Sequence, residues 1–293
     1  MKLKYLYPLL FLLSCSDSEI ILPDSTGSFD EIIVVVNDAE WDETFIEIAK
    51  YYFESELIGV GNSEKDFKIL QINKSEFSSL LKTHRHIFLI SKKPFASFRN
   101  KWANNQLVVN FNNTDSLTFS NSSSKAKKII SRFNKKNYKK KIRKSLNNEA
   151  INLLNNKFDI NASISSDYTI SLDSTNVFWL SYNPSKKEQI KQLIFLSVDS
   201  LDLISPHVII NRTLFKYLKG APENSYVKLE DNYPLTFDDD FYRGLWKLHN
   251  GFMGGPIMIK FIKNKNSFYL MIAVIFAPNS AKRTYIKEIE AIL

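Results

Sequence analysis

The sequence predicts an α+β protein of mixed or antiparallel sheets with packed helices. Short apolar runs of strand length recur along the chain, and stretches with helical spacing interrupt them without regular alternation. That irregularity argues against a doubly wound parallel sheet. Near the C-terminus three runs, Phe241 to Leu248, Pro256 to Ile262 and Phe268 to Phe276, follow one another as antiparallel strands ahead of a terminal helix. With 44 % hydrophobic residues, including 22 Phe and 13 Tyr, the chain is far too apolar to be disordered.

Residues 1–14 read as a signal peptide, in which Lys2 and Lys4 are the charged end and Leu6 to Leu13 an apolar segment too short to span a bilayer. Leu12-Leu13-Ser14-Cys15 resembles a bacterial lipoprotein signal, with the chain's only cysteine as acceptor thiol. The resemblance implies lipidation at Cys15 and a membrane anchor made of two or three acyl chains. Ser16 stands where an inner-membrane retention aspartate would be, so the expected address is the outer membrane, its periplasmic or surface face left open. Residues 15–28, with Pro23, Asp24, Ser25, Gly27 and Ser28, read as a flexible tether.

A first α+β region is expected over 29–157. Glu31 to Val36 reads as a buried strand. Trp41, Phe45, Ile48, Ala49 and Tyr52 then recur at helical spacing, with Asp38 as cap. Strands at 67–72, 87–91 and 106–111 follow, with a short helix over 75–82. A polar tract at 112–124 leads into one or two basic amphipathic helices, whose apolar stripe is Ala126, Ile129, Ile130 and Phe133, then Ile142, Leu146, Ala150, Leu153 and Leu154. The second region, 158–293, opens with strands at 168–172, 177–182 and 189–198. A helix from His207 to Leu218 comes next, stopped by Gly220 and Pro222. The last two strands join through Asn264-Lys265-Asn266, and the terminal helix starts near Ser280 with Tyr285, Ile289 and Ile292 facing the sheet.

Charge is concentrated. Residues 125–144 carry eleven cations and no acid, against a formal net charge of +8 for the whole chain, so the remainder is net acidic. Lys135, Lys136, Lys139 and Lys140 are the binding candidates in this arm. Export argues against nucleic acid, leaving an anionic envelope partner (lipid, glycan or protein) or a plain solvated face.

Gly244, Gly251, Gly254 and Gly255 crowd into twelve residues beside Arg243, Trp246, His249 and Pro256. A tight hairpin is the favoured explanation, a ligand-cradling loop the other. In a site, Arg243 would bind an anion, Trp246 stack on a ring and His249 move a proton. Asp238-Asp239-Asp240 reads as a solvated loop with one acid pairing Arg243, because calcium-loop spacing is absent. His84 and His86 alternate on a strand, but metal binding would need a third ligand. No metal or cofactor is expected, and no nucleophile elbow or phosphate loop occurs.

Blocks in the C-terminal third resemble a family of bacteroidete lipoproteins, domain of unknown function 4837. They are Arg212, Gly220 with Ser225-Tyr226, Arg243-Gly244-Leu245-Trp246, Met253-Gly254-Gly255-Pro256, and Ala277-Pro278 through Lys282-Arg283 to the C-terminal Glu290-Ala291-Ile292-Leu293. A weaker likeness at Trp41, His84 to Ile87, Trp102-Ala103 and Gln106 extends it over nearly all of the mature chain. It implies lipidation, an envelope location and a continuous fold, and it implies no reaction. Two functional expectations follow: an uncharacterised, non-enzymatic, lipid-anchored binding or structural component of the outer membrane, or an envelope hydrolase with His249 as base in the 243–256 loop.

Overall fold

The computed structural model describes residues 21–198, 205–221, 223–264 and 267–293. Cys15, Pro222, Lys265 and Asn266 lie outside the described residues. The architecture is α+β, built on two sheets. Among the described residues no helix is long and apolar enough to cross a membrane.

The first sheet has the order β2-β1-β3-β5-β4, with β1 (Glu31–Val35), β2 (Lys68–Ile72), β3 (His86–Ser91), β4 (Ala96–Arg99) and β5 (Leu107–Asn112). β1, β2, β3 and β5 run parallel, and only β4 is antiparallel. Apolar residues on both faces explain the near-continuous strand runs. Ile32, Val34, Phe88, Ile90, Val109 and Phe111 pack beneath α1 (Glu43–Phe53) and α2 (Ser116–Ile142), while Ile33, Val35, Ile87 and Val108 pack on the other side with Leu81 and Trp102.

Local chemistry moves several expected boundaries. α1 is capped by Asp42, whose carboxylate accepts from the Phe45 amide at 3.0 Å; Asp38 instead opens a separate 3-10 turn. The helix expected over 75–82 is reduced to turns and a 3-10 turn at Leu81–Thr83. The polar tract is largely helix: Asp115 accepts from the Thr118 amide at 2.8 Å, and Phe119 buries itself in the first core, so α2 starts at Ser116. Residues 22–28, read as part of a tether, lie against the sheet end. Ser25 N–H donates to Asn104 O at 3.0 Å, Thr26 N–H to Thr83 O at 2.9 Å and Arg85 N–H to Thr26 O at 2.8 Å.

The second sheet is antiparallel throughout, with β6 (Thr169–Asp173), β7 (Val177–Tyr182), β8 (Ile190–Val198), β9 (Tyr226–Leu229), β10 (Thr236–Asp238), β11 (Phe241–His249), β12 (Gly254–Asn264) and β13 (Ser267–Phe276). Its order is β10-β11-β12-β13-β8-β7-β6, with β9 also on β11. One face buries Phe178, Leu180, Leu193, Phe195, Met271 and Ala273 under α3 (Asn148–Phe158) and α5 (Arg283–Glu290). The other packs against α4 (Pro206–Tyr217) through Ile209, Ile210 and Leu214. Ala150, Leu154 and Phe158 of α3 pack in the second core, as do Leu57 and Val60 from the first region.

The terminal helix starts later than Ser280, at Arg283, and its first turn is closed from the other body. The Glu64 carboxylate accepts from the Lys282 amide at 2.8 Å and from the Arg283 amide at 3.1 Å. Arg283 in turn meets Asp30 at 2.5 Å. α5 is therefore shared between the two bodies.

Candidate functional site

A cleft of about 610 Å³ opens where α2 faces the 55–58 loop, the β10–β11 turn and α5. Buried Ala126, Ile130 and Phe133 fix the rotation of α2. Lys128, Arg132 and Lys135, at helical spacing, line one wall.

The floor is a chain of alternating charges that crosses from one body to the other. Lys127 pairs with Asp66, and Asp66 meets Lys287 at 3.4 Å. Lys287 lies 3.4 Å from Glu290, Glu290 accepts from Arg243 Nη2 at 2.8 Å, and Arg243 Nε lies 3.0 Å from Asp238. Burial raises the Asp66 pKa, yet Lys287 and Lys127 outweigh it and hold the carboxyl below its ordinary value. Burial likewise works against the Lys287 cation, but Glu290 and Asp66 raise its pKa above the usual one. Both members stay charged, as a buried pair must if it is to offset its desolvation. Arg243 Nη1 is buried with no hydrogen-bond partner among the described residues.

Two candidates far apart in sequence, Arg243 and Lys135, line this one cleft. Lys136 and Lys140 are solvent-exposed, the latter 3.4 Å from Asn105 Oδ1, and Lys139 is half-buried. Arg243 is only 2 % exposed and already neutralised by Asp238 and Glu290, so its expected role as a free anion receptor is replaced by a place in the floor. Trp246, 3 % exposed, donates its indole N–H to Ile275 O at 2.9 Å and packs in the second core, at the lining of the cavity beside the glycine-rich loop. His249 tilts against Tyr226 with ring centroids 4.8 Å apart, is absent from the lining of the cavity beside the glycine-rich loop, and has no carboxylate at ion-pair distance among the described residues. General-base chemistry there lacks its orienting acid.

The glycine cluster is the β11–β12 hairpin. The left-handed residue in that turn is Asn250 (φ 55°), so glycine serves close packing instead: a Cβ on Gly255 would lie 2.3 Å from Ile275 O, and one on Gly251 would lie 2.3 Å from Leu248 Cδ2. Asp239 and Asp240, with φ 45° and 71°, form the β10–β11 turn, which leaves Asp238 free to pair with Arg243. His86 is fully buried between Glu31 O at 3.0 Å and Asn134 Oδ1 at 2.9 Å, and His84 Nδ1 lies 3.2 Å from His86 O. Both imidazoles are engaged by their own chain. Among the described residues no group of three or more His, Cys, Asp or Glu is placed to hold a metal.

Sequence reasoning missed Asp66, Lys287 and Glu290. One signal pointed to the last: Glu290 stands four residues after Ile286 on an otherwise apolar helical face, where an acid needs a buried partner.

These features define a two-bodied α+β protein with a cation-walled cleft and no assembled catalytic group among the described residues. The chain belongs to the family of Domain of unknown function (DUF4837), whose model matches residues 147–293. Residues 25–146 match a second model, Domain of unknown function (DUF8532), so the likeness expected to run through nearly the whole mature chain divides just ahead of α3. Comparison with curated proteins and with solved structures finds no match.

Proposed function

We propose that the chain is a lipid-anchored, non-catalytic outer-membrane protein that binds an anionic envelope component along the cationic face of α2. The observation that carries this reading is uncompensated charge. Of the cations in 125–144, only Lys127 and Lys141 meet an acid within ion-pair distance among the described residues. Burial lowers the Lys139 pKa, and the neighbouring Arg143 and Lys135 cations lower it further. A polyanion relieves that repulsion, and each lysine near an anionic surface contributes about 1 kcal/mol. The leader ending in Cys15 supports the anchor, and export removes nucleic acid as a natural partner. His249, set against Tyr226, weighs against the hydrolase reading.

The test is sedimentation with vesicles of phosphatidylglycerol and phosphatidylcholine, comparing the chain with a variant in which Lys135, Lys136, Lys139 and Lys140 are all Gln. Binding is expected to fall at least about tenfold in the variant and with added salt. Unchanged binding would sink the role of α2. In cells, Cys15→Ser is expected to release the protein from membranes. Protease treatment of intact cells then decides between the surface and periplasmic faces.

A further inference from the structure

A second recess, of about 410 Å³, lies between the end of α2, the β7–β8 hairpin and α5. Four tyrosines line it: Tyr138, Tyr168, Tyr182 and Tyr285. Inside stands Lys191, 8 % exposed, its Nζ 3.1 Å from Glu288 Oε2 and 4.3, 5.4 and 5.7 Å from the ring centroids of Tyr182, Tyr168 and Tyr285. Burial strips the ammonium of its water, a loss that the carboxylate and the three π faces offset. The same contacts lock the rings in place.

The hydroxyls are what this packing leaves over. Tyr168 is 5 % exposed, and the hydroxyls of Tyr168, Tyr182 and Tyr285 make no side-chain hydrogen bond among the described residues and face the open recess. These hydroxyls are not sealed in the interior, so they are open to a ligand that carries donors and acceptors. Ser163, Ser165 and Gln189 add further polar groups, Asp167 stands at the wall with its carboxylate accepting from Ser165 Oγ at 3.0 Å, and Lys187, exposed and without an acid partner among the described residues, supplies the free cation. An aliphatic chain would leave every phenol unpaired, and a bare anion would offer no donors to the hydroxyl oxygens.

We infer that this recess is a binding site for an acidic saccharide, with the tyrosines meeting the sugar ring and hydroxyls and Lys187 its carboxylate. The volume is at the lower end of the range for small-ligand sites and suits one or two sugar rings. This inference does not depend on the α2 reading, since neither Lys187 nor the four tyrosines belong to the cationic face tested there.

Titration calorimetry of the intact protein with digalacturonate, and with its neutral counterpart galactobiose, tests it. Digalacturonate is expected to bind, with galactobiose about tenfold weaker; Tyr182→Ala should cost at least about tenfold, and Lys187→Gln should weaken the acidic ligand alone. Tyr182 is half-buried and Lys187 exposed, so both variants keep the fold, which circular dichroism verifies. Absence of digalacturonate binding, indifference to both substitutions, or equal affinity for the two saccharides would each overturn the assignment.

Discussion

His86 is an imidazole without access to water. Burial drives its pKa down to about 4, overriding the Glu31 carbonyl and the Asn134 side chain, which favour the charged form. The unfolded chain takes up this proton near pH 6.5 and the folded chain only near 4, so the stability that neutral His86 preserves above that window is lost as pH falls through it. At pH 5 the loss relative to pH 7 is about 2 kcal/mol by linkage. Urea unfolding at the two pH values measures it, and His86→Gln should flatten the difference; an equally steep dependence in the variant would assign the effect elsewhere. The buried pair of Arg243 and Glu290 gives a second prediction at this scale. Glu290→Gln leaves a guanidinium 2 % exposed with only the Asp238 carboxylate beside it, and a loss of about 3 kcal/mol is expected in denaturant titration.

α2 shows what becomes legible only at the scale of an element. Its basic half announces itself in the sequence through charge and the Ala126, Ile130 and Phe133 stripe. Its first turns do not, because Ser, Thr and Asn prefer caps and turns to helix interiors. What overrides that preference is tertiary: the Asp115 cap and the burial of Phe119 against Trp41, Phe45 and Phe111. Ser123 retains the cost of this arrangement. It is fully buried, and its hydroxyl has no partner among the described residues. Ser123→Ala removes an unsatisfied polar group and improves helix propensity, so a gain of about 1 kcal/mol is expected in the urea midpoint. A loss would mean that the hydroxyl has a water partner. The long apolar strands were readable for the opposite reason, since burial on both faces writes itself as continuous runs; β4, β9 and β10 are three or four residues each and depend on their neighbours for definition.

At the scale of the molecule, the bodies are coupled through contacts that no local pattern encodes. Asp66 and Lys287, or Glu64 and the α5 amides, are brought together by folding from positions more than two hundred residues apart. This is why both core patterns were readable and the candidate cleft between them was not. The coupling has a measurable consequence. Trp41 and Trp102 report on the first body, Trp179 and Trp246 on the second, and a shared α5 makes the two lose structure together. Fluorescence and far-ultraviolet dichroism should therefore trace one coincident unfolding transition. Glu64→Ala removes the acceptor of two α5 amides, and Arg283→Gln removes the contact with Asp30. Together they should separate the transition into two, with midpoints that differ between the probes, because each body keeps its own core while losing its hold on the other. Coincident curves in the double variant would show that the charge chain through Asp66, Lys287, Glu290 and Arg243, together with Leu57 and Val60 seated in the second core, is sufficient to join the bodies, and adding Asp66→Asn and Leu57→Ala to the pair would then be expected to divide them.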